Sequence, residues 1–196
     1  MGILIKENSA PQVAAGTYLA ICYAIVDIGT QPDTGFGEKQ KIIIMFELPT
    51  ERATFDGVEK PLAISSFYGK SLSKKANLRK DLVAWRGREF TKEELEGFEL
   101  KNILGKACQV SVVVTEHGKS KVDGIVALMK GTQVPGITNP LVEYSIHDGK
   151  NQIYKNLPEW LRKLCDACIE WDTTRIEETP PTSPSDSSPE DPDIPF

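Results

Sequence analysis

Turn residues divide the first half of the chain into three apolar runs. Gly16 to Asp27 (GTYLAICYAIVD) is rich in aromatic and β-branched residues and gives way to Gly29, Pro32, Asp33, Gly35 and Gly37. A run of that kind closed by turn chemistry predicts a strand. Gln40 to Leu48 (QKIIIMFEL), ended by Pro49, predicts a second strand, and Pro61 to Lys70 (PLAISSFYGK), reached through Asp56-Gly57, a third. The period then changes. Leu78, Leu82 and Trp85 recur at helical spacing, with Ser73 as candidate N-cap and Gly87 as terminator. Thr91 and Glu94 are spaced as the capping box of a second, short helix, with Phe90 and Leu95 at the positions of a hydrophobic staple. Two further strands, Ala107 to Thr115 and Val122 to Met129, flank a hairpin-like connection at 116–119.

The order strand, strand, strand, helix, strand, strand is the connectivity of an OB-fold, a five-stranded, partly open barrel with its helix between strands three and four. The expected fold class is mainly β with short helices; another small mixed α+β barrel is the alternative. After Gly131 an irregular stretch leads past Asn156-Leu157-Pro158 to a terminal helix of about four turns through Trp171. Its apolar stripe of Trp160, Leu161, Leu164, Cys165 and Cys168 is expected to pack on the barrel. The domain reading is an N-terminal arm at 1–15, the barrel and its C-terminal helix at 16–171, and a tail at 172–196. Beyond Asp172 there are six prolines and almost no apolar residues until the last three. Such a composition cannot offset its ordering entropy, so disorder is expected there.

Charge changes this picture. The net charge of −5 is that of the tail, which holds seven acids against Arg175, and the body is left at +1. Within the body, residues 70–92 gather eight bases against only Asp81 and Glu89. A basic track beside aromatic rings is the chemistry that holds single-stranded nucleic acid, phosphates on cations and bases on rings. Lys70, Lys74, Lys75, Arg79, Lys80, Arg86 and Arg88 are the candidate cations, and Lys75, Arg79 and Arg86 fall on one side of the predicted helix. Tyr68 shares a strand face with Lys70 and is taken as the stacking ring, with Phe67 as core. Phe36, on the glycine-flanked loop between the first two strands, with Lys39 and Lys41 after it, supports the same surface. Trp85 is read as core, with stacking as the alternative.

Other chemistries lack their signatures. Cys165-x-x-Cys168 is half a zinc site with no second pair, and His117 and His147 stand alone, so no metal is expected. No nucleophile elbow, HExxH or Walker motif occurs, and neither an enzyme nor a cofactor is expected. The four cysteines are read as reduced. No apolar run nears the ~20 residues that span a bilayer and no secretory signal opens the chain, so it is expected to be soluble and intracellular.

The tip Asp191-Pro192-Asp193-Ile194-Pro195-Phe196 joins acids to an apolar end, suited to a pocket with an apolar floor and a basic rim. It closely resembles the Asp-Asp-Asp-Ile-Pro-Phe tip of bacterial single-stranded DNA-binding proteins, departing only at Pro192. The body does not look like the bacterial protein. Its segments Lys74 to Leu82 (KKANLRKDL), Trp85-Arg86-Gly87-Arg88 and Asn102-Ile103-Leu104-Gly105-Lys106 resemble a family of bacteriophage-encoded replication and recombination proteins. The resemblance implies an OB-fold protein that coats single-stranded DNA during phage replication, recombination and repair, in the cytoplasm of the infected bacterium. It implies that Asp191, Asp193, Ile194, Pro195 and Phe196 dock genome-maintenance proteins, and that the tail competes with DNA for the basic surface. A recombination mediator or annealing protein, and an adaptor that mimics the host tail without binding DNA, are the alternatives. No membrane partner is expected, and a homo-oligomer is left open.

Overall fold

The computed structural model describes residues 11–32, 37–55 and 57–172. These form a mainly β structure: an antiparallel sheet with short helices on its edges and faces. Strands β1 (Gly16–Gln31), β2 (Lys39–Phe55) and β3 (Val58–Gly69) come first, followed by helices α1 (Asn77–Arg86) and α2 (Lys92–Glu96). Then come β4 (Ala107–Val114), β5 (Ser120–Val126), a short β6 (Val142–Ser145), α3 (Gln152–Asn156) and α4 (Glu159–Asp166). The hydrogen-bonded order is β3-β2-β1-β4-β5, and β6 adds to β1 in parallel. β3 and β5, the two ends of the path, approach each other without a ladder between them.

The five strands and the helix between β3 and β4 stand where the apolar runs predict them, but β1 and β2 extend further. β2 and β3 continue past a register shift between Leu48 and Arg52 into a hairpin that turns at Gly57, whose φ of 80° is left-handed. β6 was not expected from the sequence. Nor is the terminal helix one rod of four turns. α4 begins after Pro158, as read, but stops at Asp166, and a single 3₁₀ turn at Ile169–Trp171 follows; Pro158 also separates it from the additional short helix α3. α1 also starts later than expected. Ser73 does not cap it; Ala76 occupies that position with no side-chain bond, whereas Gly87 closes the helix as expected in the left-handed region. The Thr91–Glu94 capping box is present. The expected staple is not: Leu95 is exposed, and Phe90 packs edge-on against Phe98 with ring centroids 5.1 Å apart.

β1 serves two cores. Before Tyr23 its inward residues are Ala20 and Cys22; afterwards they include Ile25, while Ala24, Val26 and Ile28 face the other way. A bulge causes the change of parity, since Cys22 lies opposite Phe46 and Ala24 opposite Met45, leaving Tyr23 as the extra residue. The inner core sets Ile42, Ile44 and Phe46 of β2 against Leu78, Leu82 and Trp85 of α1 and against β4 and β5. The outer core sets Ile43 and Met45 under Tyr144, Tyr154, Leu157, Leu161, Cys165 and Cys168. The four cysteines are buried and unpaired, and burial pushes the Cys22 and Cys165 thiols up to about 12.

One charged side chain sits wholly inside this second layer. Glu47 is 0% exposed on β2. Its carboxylate accepts from the backbone N–H of Thr138 at 2.9 Å, the backbone N–H of Asn139 at 2.7 Å and the Asn139 side-chain amide at 2.6 Å. It thereby ties the irregular segment before β6 to the sheet. Thr138 is exposed and Asn139 half-buried, so their donors turn to water once the carboxylate is gone, and Glu47→Ala should cost about 1–3 kcal/mol, measured by denaturant unfolding. Glu47→Gln, which keeps one acceptor oxygen, should cost less.

Candidate nucleic-acid interface

β3 alternates strictly, and its register decides which ring reaches solvent. Ile64, Ser66 and Tyr68 pair with Phe46, Ile44 and Ile42 of the inner core, so Ala63, Ser65, Phe67 and Gly69 lie on the other face. The assignment of Tyr68 as exposed stacking ring is therefore corrected. Tyr68 is 5% exposed, its hydroxyl donates to Asp81 at 2.7 Å, and burial drives its pKa far up. Phe67, taken as core, is 53% exposed, and Trp160 of α4, also taken as core, is 41% exposed. Their ring centroids are 6.4 Å apart at 49°. Sequence reasoning missed both rings. The signal for Phe67 was present, since Tyr68 shares parity with Ile64 whereas Phe67 shares it with Ala63 and Ser65.

The same face carries lysines. Lys41 stands opposite Gly69, one pleat from Phe67, and Lys39 is two residues further along β2. The backbone N–H of Lys70 donates to the Gln40 carbonyl at 2.9 Å, so the chain leaves β3 beside these lysines. Lys74 and Lys75 follow on the exposed connection to α1, and Lys80 is exposed on the helix itself. Lys75 precedes α1, so it is not aligned with Arg79 and Arg86 on one helical face as expected. Among the described residues no ion pair engages Lys39, Lys41, Lys74, Lys75 or Lys80. Lys70 differs: its ammonium meets the Asp27 carboxylate at 2.6 Å, and its charge is partly spent there.

The arginines are engaged by protein. Arg79 donates to the Leu72 carbonyl and bonds Glu89 at 3.3 Å. Arg86 is largely buried, its guanidinium 4.5 Å from the Phe90 ring centroid and 5.0 Å from that of Phe98, and it pairs with Glu94. Arg88 donates to both oxygens of Glu94, at 2.9 and 2.8 Å. The expectation that Arg79, Arg86 and Arg88 offer free charge to phosphates is corrected accordingly; they hold α1 against the segment that follows it. Trp85 is core, as read, and its indole N–H donates to the Ala107 carbonyl at 2.9 Å.

The last described residues lie at the end of β2 that carries Lys39 and Lys41. Glu170 accepts from the Thr30 N–H and hydroxyl at 2.7–3.0 Å, and Thr30 is opposite Gln40, between Lys39 and Lys41. Phe36 and the tip residues Asp191, Asp193, Ile194, Pro195 and Phe196 lie outside the described residues. Among the described residues no helix is long and apolar enough to cross a membrane.

Hydrogen bonds from Arg88, the Thr91 backbone and Arg86 hold the Glu94 carboxyl down at about 2, against 4.5 ordinarily. A depressed folded-state pKa contributes stability that is complete above pH 4.5 and is lost as pH falls towards 2. Thermal melts across that window should show the wild type losing stability more steeply than Glu94→Gln. Comparison with protein-family models, with curated proteins and with solved structures finds no match to this chain.

Proposed function

We propose that this chain is an OB-fold protein that binds single-stranded DNA, largely without sequence preference, and recruits replication, recombination or repair proteins through its acidic tip. The fold assignment is supported by the strand order with α1 between β3 and β4 and by the approach of β3 to β5. The functional reading rests on one observation above the others. An exposed aromatic pair, Phe67 and Trp160, stands on the open face of β3 beside Lys39 and Lys41 of β2, with which no carboxylate among the described residues forms an ion pair. Stacked bases gain about 1–3 kcal/mol each on such rings, whatever the sequence, and the lysines take the phosphates. The strand then runs across the β2–β3 face, over Phe67 and Trp160, towards Lys39, Lys41, Lys74 and Lys75, a different path from one along the arginines. No catalytic step is part of this reading, and its setting is the cytoplasm of a phage-infected bacterium.

Titration with labelled oligo-dT and with duplex, at two salt concentrations, tests it. Single strands should bind more tightly, with affinity falling as salt rises; absence of binding to both would overturn the reading and favour an adaptor. Phe67→Ala and Trp160→Ala should each weaken single-strand binding about tenfold or more at unchanged salt slope. Lys74→Ala with Lys75→Ala should flatten the salt slope by about 0.7 for each phosphate that is no longer neutralised.

The tail sets out from beside Thr30, so the six acidic side chains beyond Asp172 compete with DNA for Lys39 and Lys41. Removal of residues 173–196 should therefore raise single-strand affinity at low salt, and a fall in affinity would refute the competition. Phe196→Ala should reduce capture of host genome-maintenance enzymes and leave DNA binding intact.

A further inference from the structure

The arm before β1 lies in the gap that β3 and β5 leave between them. Gly16 still pairs with Val112 of β4, but Val13 has left that register and is buried in the inner core. Its carbonyl accepts from the Ser120 hydroxyl of β5 at 2.5 Å, and the Tyr18 hydroxyl donates to the Ala14 carbonyl at 3.0 Å. Pro11, Gln12 and Val13 then line a cleft of about 280 Å³ together with Ala63, Ile64 and Ser65 of β3 and Lys119 and Ser120. The arm is therefore anchored at Val13, and Pro11 stands at the free edge of β3.

That edge borders the open face. Ala63, Ser65 and Phe67 share one side of β3, so Phe67 is two residues, or about 7 Å, beyond Ser65. Two large rings exposed side by side call for a cover when no strand is bound. Residues 1–10 lie outside the described residues, and their sequence places Ile3-Leu4-Ile5 six to eight residues before Pro11. A stretch of that length reaches about 20–29 Å, well past Phe67. The other apolar run available is Ile194-Pro195-Phe196, which starts 22 residues beyond Asp172. A shorter tether gives the higher local concentration, so the arm is the favoured occupant.

We propose that Ile3, Leu4 and Ile5 pack on Phe67 and Trp160 in the free protein and that a bound single strand displaces them. The inference rests on the single-strand reading and adds a regulation of the same surface. Arm and bases compete for the rings, whereas the acidic tail competes for Lys39 and Lys41. The two brakes differ in kind. Salt screens the tail's charges but leaves an aliphatic cover in place, so the arm still acts at ionic strengths where the tail does not.

Hydroxyl-radical footprinting of the full chain tests the contact without DNA. The triple variant Ile3→Ser, Leu4→Ser, Ile5→Ser should raise the oxidation rates of Phe67 and Trp160 severalfold, while Trp85, buried in the core, stays protected and reports that the variant folds. A chain lacking residues 2–10 keeps Val13 and should behave alike. Adding oligo-dT to the wild type should make Ile3, Leu4 and Ile5 more reactive as the rings become protected. If the arm covers the rings in about nine molecules of ten, the triple variant binds oligo-dT about tenfold more tightly at an unchanged salt slope. Ring oxidation that ignores both arm variants would overturn the proposal. So would protection that is lost instead on removal of residues 173–196, or on dilution, which would assign the cover to the tail or to a second copy. Higher ring oxidation with unchanged oligo-dT affinity would overturn the competition and leave the single-strand reading standing. Failure of wild type and variants alike to bind oligo-dT would overturn that reading, while the footprint still decides the contact.

Discussion

The structure depends on β1 changing faces at Tyr23. A strand that alternated without interruption would send Ala20, Cys22, Ala24 and Val26 to one side and could complete only one apolar layer. The extra residue between the Cys22–Phe46 and Ala24–Met45 pairs shifts parity, so Cys22 and Ile25 enter the inner core while Ala24, Val26 and Ile28 enter the outer one. β2 needs no such device, because both of its faces are apolar through Ile42, Ile43 and Ile44, and it lines both layers without a break. The two central strands thus carry α1 on one side and the C-terminal segment on the other. β3, at the end of the ladder, is left with a face on which Trp160 of the C-terminal segment meets Phe67.

That leftover face explains what could and could not be read beforehand. Local rules found the five strands, the Thr91–Glu94 box and the Gly87 stop, because each depends on residues within a turn of one another. They failed where distant chain decides. β6 is four residues long and exists only through its parallel pairing with Ala24 to Asp27. The bulge at Tyr23 has no local marker. For Phe67 and Tyr68 the parity of Ile64 carries the answer, since Tyr68 shares it and Phe67 does not. Trp160 fits a helical apolar stripe and turns out to be its solvent-facing margin, against Phe67.

Counting charge along the chain also misjudges which bases face solvent. Residues 70–92 are strongly basic, yet the bases divide by type. Arg79, Arg86 and Arg88 are drawn onto Glu89, Glu94 and the phenylalanine rings, because a planar guanidinium can satisfy carboxylate and aromatic partners together. Lys39, Lys74, Lys75 and Lys80 stay in solvent, where a compact, well-hydrated ammonium is cheapest to keep. Sequence locates the positive stretch; only the fold separates charge that braces α1 from charge facing outward.

The sharing of β1 and β2 between two layers bears on how this chain can be divided. By strand count, a fragment ending at Val126 looks like a finished unit. Such a fragment would uncover Ala24, Val26, Ile28, Ile43 and Met45, and it would strip Glu47 of Thr138 and Asn139. It would also remove the closure at Gly29, where a Cβ would come within 2.8 Å of Glu170 and 3.0 Å of Cys168. The smallest piece that keeps its apolar surfaces covered therefore reaches Trp171. Five strands draw the outline, but the indivisible unit is the sheet with its C-terminal lining.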